Sequence, residues 1–121
     1  MTQTGKDLLL KDLCGRLPYF VKVQIKNEIV VLNSICDDDG YHFNFIGDDR
    51  EGVNIEEIKP YLLPLSSMTE EQKSQYSFFL TRIIDGYDSS LLIDWLNKNH
   101  FDFRGLIPMG LANDATDKNI Y

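Results

Sequence analysis

No apolar run in this chain is longer than the four residues Ile29 to Leu32, whereas a membrane-spanning helix needs roughly 18 or more. Near the N-terminus only Leu8 to Leu10 are apolar together, and Lys6, Asp7, Lys11 and Asp12 flank them. That is too short and too charged for the apolar region of a secretory signal, so a cytoplasmic protein with no membrane partner is expected. Cysteine is scarce. Cys14 and Cys36 are the only two; they fall on different expected elements in apolar surroundings and are read as buried free thiols of a reducing compartment, not as a bridge or zinc site. Gly-rich phosphate loops of the GxGxxG or GxxxxGK[ST] kind, HExxH and GxSxG are all missing, which removes the usual signatures of nucleotide binding, zinc proteolysis and serine hydrolysis, and no cofactor is implied. Basic residues are also in deficit, 12 Lys and Arg against 19 Asp and Glu. A broad phosphate-binding groove is therefore disfavoured and nucleic acid is an unfavourable partner.

What is present supports one domain spanning residues 1–121, since 43% apolar content over that length suffices for a core without metal or disulfide support. The charge of −7 is unevenly placed. Residues 1–36 carry a net +2, residues 37–58 a net −7 and residues 59–121 a net −2. The basic residues Lys6, Lys11, Arg16, Lys22 and Lys26 read as solvated heads along an amphipathic helix and strand.

Along the chain, Leu9, Leu10, Leu13, Cys14 and Leu17 predict a helix from about Lys6 to Cys14, capped by Gly15 and stopped by Pro18. Val21, Val23 and Ile25 alternate with Lys22, Gln24 and Lys26, the period of a half-buried strand. Asn27-Glu28 reverses the chain into Ile29 to Cys36, and Asp38-Asp39-Gly40 turns it into a third strand at Tyr41, Phe43 and Phe45. Val53 to Ile58 predicts a weaker fourth strand, and Lys59 to Ser67, punctuated by Pro60 and Pro64, an extended connector. Thr69 and Gln72 form a capping box for a helix from Glu70 to Ile84. Gly86 ends that helix, and a further helix follows to Asn99 with Leu92, Trp95, Leu96 and Asn99 on one face. The expected fold is α+β: an N-terminal helix, a strongly bent antiparallel sheet of three to four strands in the manner of an SH3-like barrel, and a C-terminal helical hairpin covering the sheet, with Trp95 buried between them. The closing pair Ile120-Tyr121 is apolar enough to dock back onto the body.

Candidate chemistry is sparse. Aligning Asp37 to Gly40 with an EF-hand loop puts Ile35 and Ile46 at its first and last ligand positions, so the run is a polar turn and no metal site is expected. His42 alternates with Tyr41 and Phe43 and should face solvent. Tyr41, Phe43 and Phe45 lack interleaved basic residues, so they read as core and not as a base-stacking platform. The sharper constellation is His100, Asp102 and Arg104, within the segment Asp94 to Ile107 that also holds the only tryptophan. In an extended chain the three project to one side, where a carboxylate could orient the imidazole and the guanidinium could grip an anion. The alternative is an ordinary helix end, neutralised and tethered by its flanking charges.

The segments Lys59 to Gln72 (KPYLLPLSSMTEEQ), Asp94 to Ile107 (DWLNKNHFDFRGLI) and Asp7 to Val23 (DLLLKDLCGRLPYFVKV) resemble small uncharacterised proteins of Bacteroides-type gut bacteria, often encoded in prophage and other mobile elements. The resemblance implies an intracellular accessory protein of mobile-element origin and carries no functional residue with it. The leading expectation is a non-enzymatic module that binds a protein partner or a second copy of itself. The alternatives are a small anion- or phosphate-handling enzyme using His100, Asp102 and Arg104, and a nucleic-acid-linked accessory factor.

Overall fold

The computed structural model describes residues 1–121. Its first helix, α1, spans Gln3–Arg16, started by the Thr2 hydroxyl accepting from Gly5 N at 3.0 Å. This is longer at both ends than the expected segment. Gly15 does not cap α1 but lies within it, where the absence of a side chain leaves room for the Asn97 amide: a Cβ there would stand 3.1 Å from its nitrogen. The helix runs into a 3-10 turn at Leu17–Tyr19, and Phe20, in the left-handed region, redirects the chain.

Strands β1 (Lys22–Ile25), β2 (Glu28–Asp37) and β3 (Tyr41–Phe45) form the expected antiparallel meander. In β2 the register shifts between Leu32 and Ser34, so Asn33 is an extra residue. The shift inverts the alternation beyond it. Leu32 is buried and Ile35 half-buried, while Cys36 faces solvent. Cys14 is exposed as well, so the expectation of two buried thiols is corrected; partial desolvation raises the Cys14 thiol above its ordinary value.

The fourth strand is displaced from its expected place. Residues 53–58 hold a 3-10 turn at Ile55–Glu57, and β4 is instead Lys59–Leu62. Pro60 is accommodated because β1 pairs with β4 over only two positions, Val23 with Pro60 and Gln24 with Lys59. A short β5, Asn113–Asp114, adds in parallel on the far side of β4, so the sheet is mixed and not wholly antiparallel. The order β3-β2-β1-β4-β5 leaves β3 and β5 as edges. The sheet is open, and the expected barrel does not form.

Helix α1 covers this sheet. Leu9 and Leu13 pack with Val21, Val23, Ile25, Leu32, Phe43, Phe45, Ile58 and Leu62 in one cluster, and each such fully buried aliphatic contributes about 1.5–3 kcal/mol. The helices α2 (Glu70–Ile84) and α3 (Ser90–Lys98) do not take that role. They build a second, smaller cluster around Met68, Leu92, Leu96 and Phe101. Trp95 is half-buried there, tilted against Tyr76, Phe79 and Phe101, and does not lie between helices and sheet. The capping box of α2 is formed as its sequence predicts, Thr69 and Gln72 exchanging bonds of 2.9 and 3.2 Å.

Candidate functional site

Both C-terminal helices end in the same motif. After α2, Gly86 N donates to Ile83 O and Tyr87 N to Arg82 O; after α3, His100 N donates to Asn97 O and Phe101 N to Leu96 O. These paired bonds define a Schellman end, whose residue beyond the cap adopts the left-handed conformation. Gly86 does so freely, whereas at α3 the position is held by His100 with φ +63°. The chain is then clamped to Leu63, whose N–H donates to His100 O while its carbonyl accepts from Asp102 N, both at 2.8 Å.

From this clamp the three candidate residues diverge. The buried Asp102 carboxylate accepts from Leu106 N at 2.8 Å and Ile107 N at 2.9 Å, fixing the turn that follows. Arg104 reaches back to α1, donating from Nη1 to Asp12 Oδ1 at 2.9 Å. His100 stacks on Tyr121, ring centroids 3.5 Å apart and planes within 11°. No hydrogen bond joins any two of the three, and none of them lines the surface concavities beside β3, between α2 and α3, at the β1–β2 turn or beside the C-terminal tail. Phe101 is fully buried, and Phe103 lies under the guanidinia of both Arg16 and Arg104.

Charge is also buried on α1, at a residue expected on a solvated basic face. Asp12 and Arg16 are both fully buried, so Arg16 is removed from the expected basic surface. Arg16 Nε and Nη2 donate to Asp12 at 2.7 and 3.0 Å, and Nη2 also donates to Phe101 O at 2.7 Å. One carboxylate thus receives two guanidinia, and the pair ties α1 to the end of α3. The signal was present in the sequence: Leu9, Asp12, Leu13 and Arg16 stand at i, i+3, i+4 and i+7, one face of a helix, with an acid four residues before a base.

Burial, and then the positive charges of Arg16 and Lys22, hold the His100 imidazole down to about 4. Its ring is neutral at pH 7, and Nδ1 is buried without a hydrogen-bond partner, as are Arg16 Nη1 and Asn97 Oδ1. The lowered value has a consequence for stability. Below the ordinary histidine value of about 6.5 the unfolded chain takes a proton that the folded chain refuses until about pH 4, so the contribution of this group is complete above pH 6.5 and is lost on acidification towards 4. With partial exposure taken into account, the change is on the order of 1–2 kcal/mol. Urea titrations of wild type and His100→Gln should therefore converge between pH 7.5 and 4.5; a constant difference between them would show that the imidazole is not desolvated.

The tail behind this ring is docked. The Tyr121 hydroxyl donates to Tyr61 O and accepts from Lys22 N, both at 2.8 Å, and burial pushes its phenol up to about 12. His42 faces solvent as expected, its Nε2 lying 2.8 Å from Asp38 O. Of the β3 aromatics, Phe43 and Phe45 are core but Tyr41 is exposed.

A different surface is apolar and exposed. None of the fifteen residues of α2 is buried. Only half-buried side chains, among them Tyr76, Phe79 and Ile83, hold it against α3, and Phe78, Leu80, Ile84, Tyr87, Leu91 and Ile93 are exposed on and between the two helices. Ile84 is 84% exposed. Arg82 lies over both the Phe78 and Tyr87 rings, 5.4 and 4.5 Å from their centroids. Between the helices runs a mainly apolar groove of about 370 Å³, lined by Phe78, Phe79 and Trp95. No helix is long and apolar enough to cross a membrane. No family model, curated protein or solved structure matches this chain.

Proposed function

We propose that the chain is a non-enzymatic protein-interaction module that self-associates through α2 and α3. The observation that carries this reading is the apolar exposure of a capped fifteen-residue helix with no buried residue. At roughly 100 Å² for each partly exposed large side chain, the six residues around the two helices present on the order of 600 Å². A standard interface takes about 800 Å² from each partner; Leu91 and Ile93, two residues apart on α3, project to different sides of that helix, so one contact engages part of this exposed area. Residues 70–98 carry five acids against three bases, so two copies meeting here face little mutual repulsion, unlike copies meeting through residues 37–58. The internal use of His100, Asp102 and Arg104 removes the main support for the anion-handling alternative, and burial of Arg16 weakens the nucleic-acid alternative.

Light scattering coupled to size exclusion, at about 100 µM protein, tests the reading. Wild type should run as a dimer. Ile84→Glu, a surface change that removes no buried contact, should run as a monomer with unchanged circular dichroism, because a charge desolvated at an apolar contact costs several kcal/mol. A monomeric wild type, or a dimer indifferent to Ile84→Glu, would exclude this surface as the self-contact.

A further inference from the structure

We propose a second, independent interaction site on residues separate from α2 and α3: a groove beside β3 that takes an extended cationic peptide as an added strand. After β3 the chain turns at Ile46-Gly47 and begins to pair back, Asp48 forming a bridge to Phe45. The pairing then stops. Asp48 accepts from Arg50 N at 3.0 Å and from Arg50 Nε at 2.8 Å, and Arg50 Nη2 donates to Glu28 at 2.6 Å, which draws the chain away from β3. Gly52, at φ +69°, completes the divergence. Residues 51–53 make no backbone hydrogen bond, and β3 is an edge of the sheet. The result is an unfinished hairpin with two adjoining grooves of about 410 Å³ each, sharing Tyr41, Phe43 and Asn54.

Edge strands usually carry a charge, a proline or a cover that blocks pairing. The five residues of β3, Tyr-His-Phe-Asn-Phe, contain neither Lys, Arg, Asp, Glu nor Pro. Both walls of the groove therefore offer main-chain donors and acceptors, the arrangement that β-strand addition uses. Charge decides the occupant. Residues 37–57 hold eight acids and one base, a net −7 equal to that of the whole chain, so the remainder is balanced. Asp37, Asp38 and Asp39 lead into β3, and Asp49 and Glu51 follow it. Of the cations that line the two grooves, Arg50 is engaged with Asp48 and Glu28, and Lys6 with Glu56 at 2.5 Å. A second copy of β3 would bring these acids face to face, whereas a strand alternating Lys or Arg with apolar residues is attracted to the ends and can seat its apolar side against Tyr41 and Val53.

The test uses an eight-residue peptide alternating Lys and Val, its counterpart N-methylated at alternate residues, and a Glu/Val version, titrated into ¹⁵N-labelled protein. The Lys/Val peptide should perturb the amides of residues 41–45 and 51–53. N-methylation, which removes strand pairing but keeps every charge, should weaken binding about tenfold or more, and the Glu/Val peptide should not bind. The exposed pair of changes Asp39→Lys and Glu51→Lys should weaken the Lys/Val peptide in low salt while leaving the spectrum of the free protein folded. Equal binding of the methylated peptide would reduce the site to non-specific charge attraction and overturn the proposal, as would perturbations confined to other residues or no binding at all. Ile84→Glu should leave this binding intact, so the outcome is separate from that of the α2–α3 surface.

Discussion

Asp12→Ala should destabilise the fold by about 3–5 kcal/mol, the range found when one partner of a buried ion pair is removed and the other charge is left behind. The reason lies in what Asp12 receives. Three hydrogen bonds from Arg16 and Arg104 end on its two oxygens, and Arg16, with no exposed surface, would keep only the Phe101 carbonyl. Arg16 Nη1 already lacks a partner. The effect should be read as a shift of the urea midpoint at pH 7, and a loss below about 1 kcal/mol would show that the guanidinia find solvent. Asp12→Leu combined with Arg16→Met should recover a large part of the loss, since an apolar pair of similar volume commonly matches or exceeds a buried ion pair.

Phe101→Ala should cost a comparable amount, about 3–5 kcal/mol for a large-to-small change in a packed interior. Phe101 has no exposed surface, contacts the Trp95 ring at 5.7 Å between centroids, and occupies the position after His100 where the Schellman end expects an apolar contact with Leu96. Trp95→Ala, although it deletes a larger ring, should cost less than Phe101→Ala because Trp95 is half-buried and its indole N–H reaches the exposed Gln75 at 3.2 Å. The reverse order in denaturant titrations would place the packing centre of the second cluster on Trp95.

The parts of this fold that could be read from sequence are those fixed by local chemistry. Thr69 and Gln72 announce α2, Gly86 ends it, and the alternation around Val23 and Phe43 gives β1 and β3, because each signal acts within a few residues. The misses arise where distant packing overrides a local rule. Asp12 and Arg16 occupy the buried face of α1, but a reading that assigns charge to solvent selects Leu10 and Cys14 in their place. Asn33 inverts the faces of β2, and nothing in a one-residue insertion marks itself in a strand of mixed polarity. Pro60 argued against a strand, yet β4 pairs with β1 at only two positions. The segment His100 to Arg104 has the density of polar groups that a site needs, in an arrangement that diverges. Whether it would converge depended on Asp12, ninety residues earlier in the chain, and on Tyr121 at its end.

That same dependence orders events in time. Hydrogen bonds from Arg16 to the Phe101 carbonyl and from Arg104 to Asp12 close loops of 85 and 92 residues, among the longest the chain can make. Until residues 101–104 leave the ribosome, Asp12 and Arg16 have only each other and water as partners on the face that must bury Leu9 and Leu13, and the Phe101 carbonyl and the Arg104 guanidinium that complete their hydrogen bonding are missing. The helix that covers the sheet thus precedes every other element of this fold in the chain and is among the last whose burial can be completed, a non-local topology of the kind that folds slowly.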